Sequence, residues 1–185
     1  SLLLISVNVC ADTIADYTID PAKTVINFTW RYLGTESPKA SFSKPEGDIQ
    51  LNLENPLLSR ADVSIPVKTL STFMRLIDRE LLNSGDFFLP EKHPVIRFRS
   101  TGITETAGSD GWYRVAGMLS VNGISQPVIL DARPVGLKTA QMPGAQLTVE
   151  ATTRFKRSQF GMTRMLGIVA DEMSISLRVV ATKRD

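Results

Sequence analysis

Side chains that could do covalent or metal chemistry are scarce in this chain. A nucleophile needs a base beside it, and the single histidine, His93, sits between Lys92 and Pro94 in a stretch that reads as a surface turn. No His-Glu-x-x-His run and no clustered His, Asp and Glu set occurs at ligand spacing, so neither a catalytic zinc nor another metal site is assigned. Asp78, Glu80 and Asp86 are close in sequence, but residues two apart on a helix do not share a face, and these read as solvated helix charges. No glycine-rich loop is spaced to cradle phosphate. Cys10 is the only cysteine, which excludes an intrachain disulfide and a thiolate cluster. The basic group Arg154, Lys156, Arg157 and Arg164 reads as a solvated strand face, with contact to a polar head group at a pocket mouth as the alternative. Catalytic residues are therefore not assigned, and the chain is expected not to be an enzyme and to require no cofactor.

The aromatic and long aliphatic residues are a different matter. Phe28, Trp30, Tyr32, Phe42, Phe73, Phe87, Phe88, Phe98, Phe155 and Phe160, with Ile77 and Leu81, are the candidate binding residues. Each taken alone is explained by a packed core; as a set they could also line an elongated apolar pocket. Sequence does not separate a filled barrel from a hollow one.

What must position them is a series of strands. Six stretches alternate apolar and polar residues with period two, the mark of a strand with one buried and one wet face. Ile26, Phe28, Trp30 and Tyr32 form the first. Ile49, Leu51 and Leu53 follow, then Val63, Ile65 and Val67, then Ile96 and Phe98. Leu147, Val149, Ala151, Thr153 and Phe155 form the fifth, and Met173, Ile175, Leu177 and Val179 the last. Asn122-Gly123 suits the type I′ turn of a hairpin joining strands near 112–121 and 126–132, and further turns are expected at 107–111 and 142–144. One helix interrupts the strands over Ser71–Ser84, with Phe73, Leu76, Ile77 and Leu81 at helical spacing, Ser71 or Thr72 to cap it and Gly85 to end it. Phe87 and Phe88 then precede Pro90 and Pro94 in a turn expected to plug one end of a barrel. Sandwich and barrel both satisfy such strands, and closure removes the aggregation-prone edges. About eight strands enclose room for one small apolar ligand.

Bulk properties agree. A chain of 185 residues suits one all-β domain. With 21 basic against 19 acidic residues interleaved along it, it lacks the clustered charge of a nucleic-acid binder. The opening SLLLISVNVC reads as the end of a secretory signal, with cleavage expected before Asp12 or Asp16, and a first strand is the alternative. Residues 1–15 are thus assigned to that segment and 16–185 to the barrel, and a periplasmic or secreted location is expected. No later apolar run reaches the roughly 18 residues that span a bilayer. Homodimerisation through barrel edges or end loops stays open.

Read in order, YTIDPAKTVINF, TLSTFMRLIDRELLNSGDFFLPEKHPVIRFRST, VAGMLSVNGISQPVIL, FKRSQFGM and VADEMSISLRV resemble the YceI family of bacterial periplasmic proteins, from Tyr17 onward. Asp78, Arg79, Leu82, Ser84, Asp86 and Phe87 carry much of the likeness, with Pro94, Phe98, Ser100, Gly117, Leu119, Asn122, Gly123 and Pro127. Tyr32 stands where many members have histidine, and Ala40-Ser41-Phe42 where many have Gly-x-Phe. The resemblance implies an extended, lipocalin-like antiparallel β-barrel of eight strands with a capping helix inserted between strands. It further implies that a polyisoprenoid or isoprenoid quinone is held in the apolar channel for transport, storage or sequestration. A stress-related protein-interaction module with a filled barrel is the alternative.

Overall fold

Alternation becomes strand along almost the whole chain. The computed structural model describes residues 14–33, 35–136 and 144–184, with the backbone alone described for 35–38. Among the described residues ten strands follow one another: β1 Ile14–Ile19, β2 Val25–Tyr32, β3 Thr35–Phe42, β4 Glu46–Asn52, β5 Arg60–Pro66, β6 Val95–Glu105, β7 Tyr113–Val121, β8 Ile124–Val135, β9 Gln146–Lys156 and β10 Val169–Lys183. One helix, α1 Arg75–Asn83, lies between β5 and β6. Every pairing is antiparallel, in the order β1-β4-β5-β6-β7-β8-β9-β10-β2-β3, and a further β1–β10 pairing closes the ring.

These ten strands make eight staves, so the expected eight-stranded barrel with an inserted helix is the fold observed. β2 and β1 run against successive lengths of β10, with Val25 opposite Arg178 and Ile19 opposite Ala181. In the same way β3 and β4 run against β2 and β1. Each pair is one stave broken midway. Pro21 has no N–H for a ladder, and a turn forms there instead: the Asp20 carbonyl accepts from the N–H groups of Lys23 and Thr24, and its carboxylate accepts from that of Ala22. Thr24 then mends the ladder. Its hydroxyl donates to the Val180 carbonyl (3.2 Å) and accepts from the Val180 N–H (3.0 Å).

The six alternating stretches correspond to β2, β4, β5, β6, β9 and β10, and the Asn-Gly hairpin joins β7 to β8 with φ of 53° and 76° at Asn122 and Gly123. The helix is shorter than Ser71–Ser84. Ser71 exchanges backbone hydrogen bonds with Ser41 of β3, both 2.9 Å, and Phe73 adopts a left-handed φ of 63°. Neither conformation is helical, so α1 starts only at Arg75. Its first turn is tied by Asp78, whose carboxylate accepts from both the N–H and the hydroxyl of Thr72 at 2.6 Å. Gly85 ends it at φ 76° as expected. β1 begins at Ile14, and Ala15 is already buried in the core. Residues 1–13 and most of the expected 142–144 turn lie outside the described residues.

Two apolar clusters divide the interior. One, at the helix end, contains Phe28, Phe42, Phe88 and Phe160; the other gathers Tyr17, Leu51, Leu147 and Val179. Tyr17 is wholly enclosed in the second cluster.

Candidate functional site

Inward-facing side chains do not fill the barrel. Between and beside the two clusters they leave a cavity of about 710 Å³, within the roughly 300–1,000 Å³ typical of small-molecule sites. The barrel is therefore hollow. Among the described wall residues only Glu80 and Arg157 carry charge. Thr153 also lines it, but its hydroxyl is spent on the Ile129 carbonyl at 2.7 Å. Tyr32, Met74, Leu76, Glu80 and Met165 are at once wall residues and exposed, so the cavity opens between α1, the end of β2 and the segment before β10.

Strand parity puts most of the candidate residues in this wall. Phe28, Trp30, Tyr32, Phe42, Phe98 and Phe155 reach it from β2, β3, β6 and β9; Ile77 and Leu81 from α1; Phe87 and Phe88 from the turn after it. Phe28 stacks on Trp30 and on Phe42 with centroids 5.5 and 5.3 Å apart, and Phe42 meets Phe88 edge-on at 5.7 Å. Phe98 owes its position to Gly117 on β7, where any Cβ would come within 2.4 Å of its ring. Two candidates lie elsewhere. Phe73 is 84% exposed because its left-handed backbone turns it away before the helix begins. Phe160 is fully buried behind the wall, edge-on to Phe155 at 5.2 Å, in the 3-10 turn Arg157–Phe160.

The aromatic turn is held from an unexpected quarter. Asn122, read from sequence as a hairpin residue, donates from its side-chain amide to the Phe87 carbonyl (2.5 Å) and accepts from the Leu89 N–H (3.1 Å). His93 packs over the adjacent Gly123, where a Cβ would meet its ring at 2.6 Å, consistent with a turn role.

Arg157 corrects the reading of the basic group. Arg154, Lys156 and Arg164 are exposed, but Arg157, at the start of the 3-10 turn that follows β9, is 2% exposed and turned inward. It donates to the carbonyls of Met162 (2.8 Å), Ala170 (3.1 Å) and Val169 (3.1 Å), and its guanidinium lies 5.9 Å from the Phe87 ring centroid. Burial lowers its pKa against the opposing pull of Asp171, but an arginine stays charged throughout the physiological range. For Asp171, burial works upward, yet the hydrogen bonds from the Ser158 N–H and hydroxyl, with the charge of Arg157, hold the carboxyl below its ordinary value. Together they bind the start of β10 to the 3-10 turn that follows β9.

Sequence reasoning also missed a methionine component. Met74, Met162, Met165 and Met173 line the cavity, three of them at the helix and the 161–168 segment that border its mouth. Unbranched and polarisable, methionine adapts to irregular apolar contents. Met173 was legible from strand parity; the others lie where no period operates.

A YceI-like domain matches the chain over residues 17–181. A UPF0312 protein of Azotobacter vinelandii is 30% identical over 173 residues, covering 92% of this chain and 88% of its own length. In structure the chain is similar to Burkholderia cenocepacia BcnA, with a TM-score of 0.76 at 23% identity over 89% of this chain and 99% of the other. It is also similar to a polyisoprenoid binding domain from Saccharophagus degradans, implicated in plant cell wall breakdown, with a TM-score of 0.65 at 12% identity over 91% and 98% of the two chains. With the match spanning nearly the whole barrel and a relative at this identity, the chain belongs to the YceI-like domain family.

Proposed function

We propose that this protein is a non-enzymatic carrier that holds a long apolar lipid, an isoprenoid chain or isoprenoid quinone, inside its barrel. The observation that carries this reading is the open-mouthed cavity of about 710 Å³ with an almost wholly apolar wall. Water in such a space has few polar partners, whereas each methylene that replaces it contributes roughly 0.8 kcal/mol of burial. Part of that gain is offset by the cost of ordering a flexible chain. At about 30 Å³ per water, and with a methylene close to that size, the cavity accommodates on the order of twenty carbons, or about four isoprene units. A longer chain would extend through the mouth.

The binding described for the Saccharophagus degradans domain supports a prenyl chain as the cargo. The opening apolar segment supports export, and the periplasm is the proposed compartment. A hollow interior weighs against the filled-barrel interaction module. Native mass spectrometry of the purified protein, followed by solvent extraction, tests the carrier reading: a discrete added mass that extracts as a prenyl lipid is expected. An apo mass unchanged after challenge with isoprenoid quinones and alcohols would overturn it.

A further inference from the structure

The apolar character of the cavity does not stop at its mouth. Leu33 after β2, Phe73 and Leu76 at the start of α1, and Met165, Leu166 and Ile168 before β10 are all exposed, the first three by 68%, 84% and 79%. They form one collar. The Leu33 N–H donates to the Ile168 carbonyl at 3.0 Å, and Arg164 ties its segment to α1 through an ion pair with Glu80, at 3.5 Å, and to the turn after α1 through Asp86. Leu76 and Met165 belong to the collar and to the cavity wall alike, so a continuous apolar path leads from outside to inside beside the Glu80–Arg164 ion pair.

We propose that this collar docks on the surface of a lipid bilayer with the cavity mouth facing the membrane. The inference rests on the carrier reading, because a chain with negligible solubility in water gains most from a route that never leaves apolar surroundings. The polar groups at the collar favour a bilayer as its occupant. Glu80 and Asp86 share the one cation of Arg164 and Asp78 accepts from Thr72, while Arg75 and Arg79, exposed on α1, make no ion pair among the described residues. Three arginines thus offset three carboxylates, and the two charged side chains left without an ion-pair or hydrogen-bond partner are both guanidinium donors, which suit phospholipid phosphates. Exposed apolar residues flanked by arginine on a short helix are also the pattern of interfacial binding.

Flotation of the full chain with vesicles of phosphatidylcholine and phosphatidylglycerol tests the docking, with farnesol uptake in solution as the separate measure of the cavity. The wild-type protein is expected to float with the vesicles. In the double variant Leu33→Asp/Leu166→Asp, neither residue of which lines the cavity, partition should fall by about tenfold or more, because two apolar anchors are lost from the contact. Its farnesol uptake should be retained. Arg75→Glu/Arg79→Glu should lower flotation by about fivefold or more by replacing two phosphate donors with carboxylates, and Ile129→Asp, on an exposed apolar residue of the barrel wall, should float as wild type. Flotation that is absent in the wild type, or equal in the collar variants, overturns the docking. So does a concentration-dependent dimer that the collar substitutions dissociate and that does not float, which would make a second copy the occupant. Wild-type protein that floats but takes up no farnesol would sink the carrier reading and leave the docking standing.

Discussion

Ala151 is where cavity and core are told apart. It is 4% exposed, faces inward from β9 and lines the hollow, so a larger side chain there enters empty space instead of displacing neighbours. Ala151→Phe is expected to change stability by no more than about 1–2 kcal/mol while reducing prenyl-chain affinity at least about tenfold. Urea unfolding and a binding titration check the two halves, and a large stability loss with intact binding would place the ligand elsewhere. Arg157 makes the opposite prediction. Replacing it by methionine leaves one buried and two half-buried carbonyls without their donor and should cost on the order of 3 kcal/mol in urea unfolding. Asp171 carries a pH signature. Its carboxyl is held below its ordinary 3.8 in the folded state, so its contribution is fully present above that value and is lost as pH falls through the lowered one. Asp171→Asn should therefore be less stable than wild type at neutral pH, with the gap closing as the solution is acidified below about pH 4. A gap independent of pH would mean that shape, not charge, explains the loss.

Elements here are fastened to one another by single polar side chains at their breaks. The Asn122 amide holds the Phe87–Leu89 backbone that presents two wall aromatics, from a hairpin on a different pair of strands. Asn122→Gly keeps the left-handed turn but removes the clamp; it should cost about 1–2 kcal/mol and speed both amide exchange around 84–93 and ligand release. Unchanged exchange in that stretch would show that the aromatics hold the turn by packing alone. The breaks are also where sequence was hardest to read. Period-two alternation exposes β2, β4, β5, β6, β9 and β10 because each has one wet and one apolar face over several residues. β1 is short, and in β3 the run TESPKASF offers little contrast between faces, so neither declares itself. Helical spacing from Phe73 onward likewise suggested a longer α1. Local pattern could not register that Ser71 would pair with Ser41, thirty residues earlier, and hold the chain extended.

At the scale of the whole molecule, a carrier should be stabilised by its cargo. At a free ligand concentration a hundredfold above Kd, an isoprenoid filling the cavity should raise unfolding free energy by about 2.7 kcal/mol, visible as a higher Tm that depends on ligand concentration. Affinity should rise with chain length up to roughly four isoprene units and then level off, since further units protrude from the mouth. Affinity that keeps rising well beyond that length would mean the interior expands. By itself, the sequence determined the class of fold and the identity of the inward faces, because parity is a property of neighbouring residues and needs no partner strand. It therefore already named most of the aromatic wall. Only the tertiary structure decided that the faces fail to meet and leave a hollow, since the distance across a barrel depends on stave number and tilt, not on any local pattern. The same long-range geometry turned Arg157 inward, Phe73 outward, and brought three separate apolar segments together around one mouth.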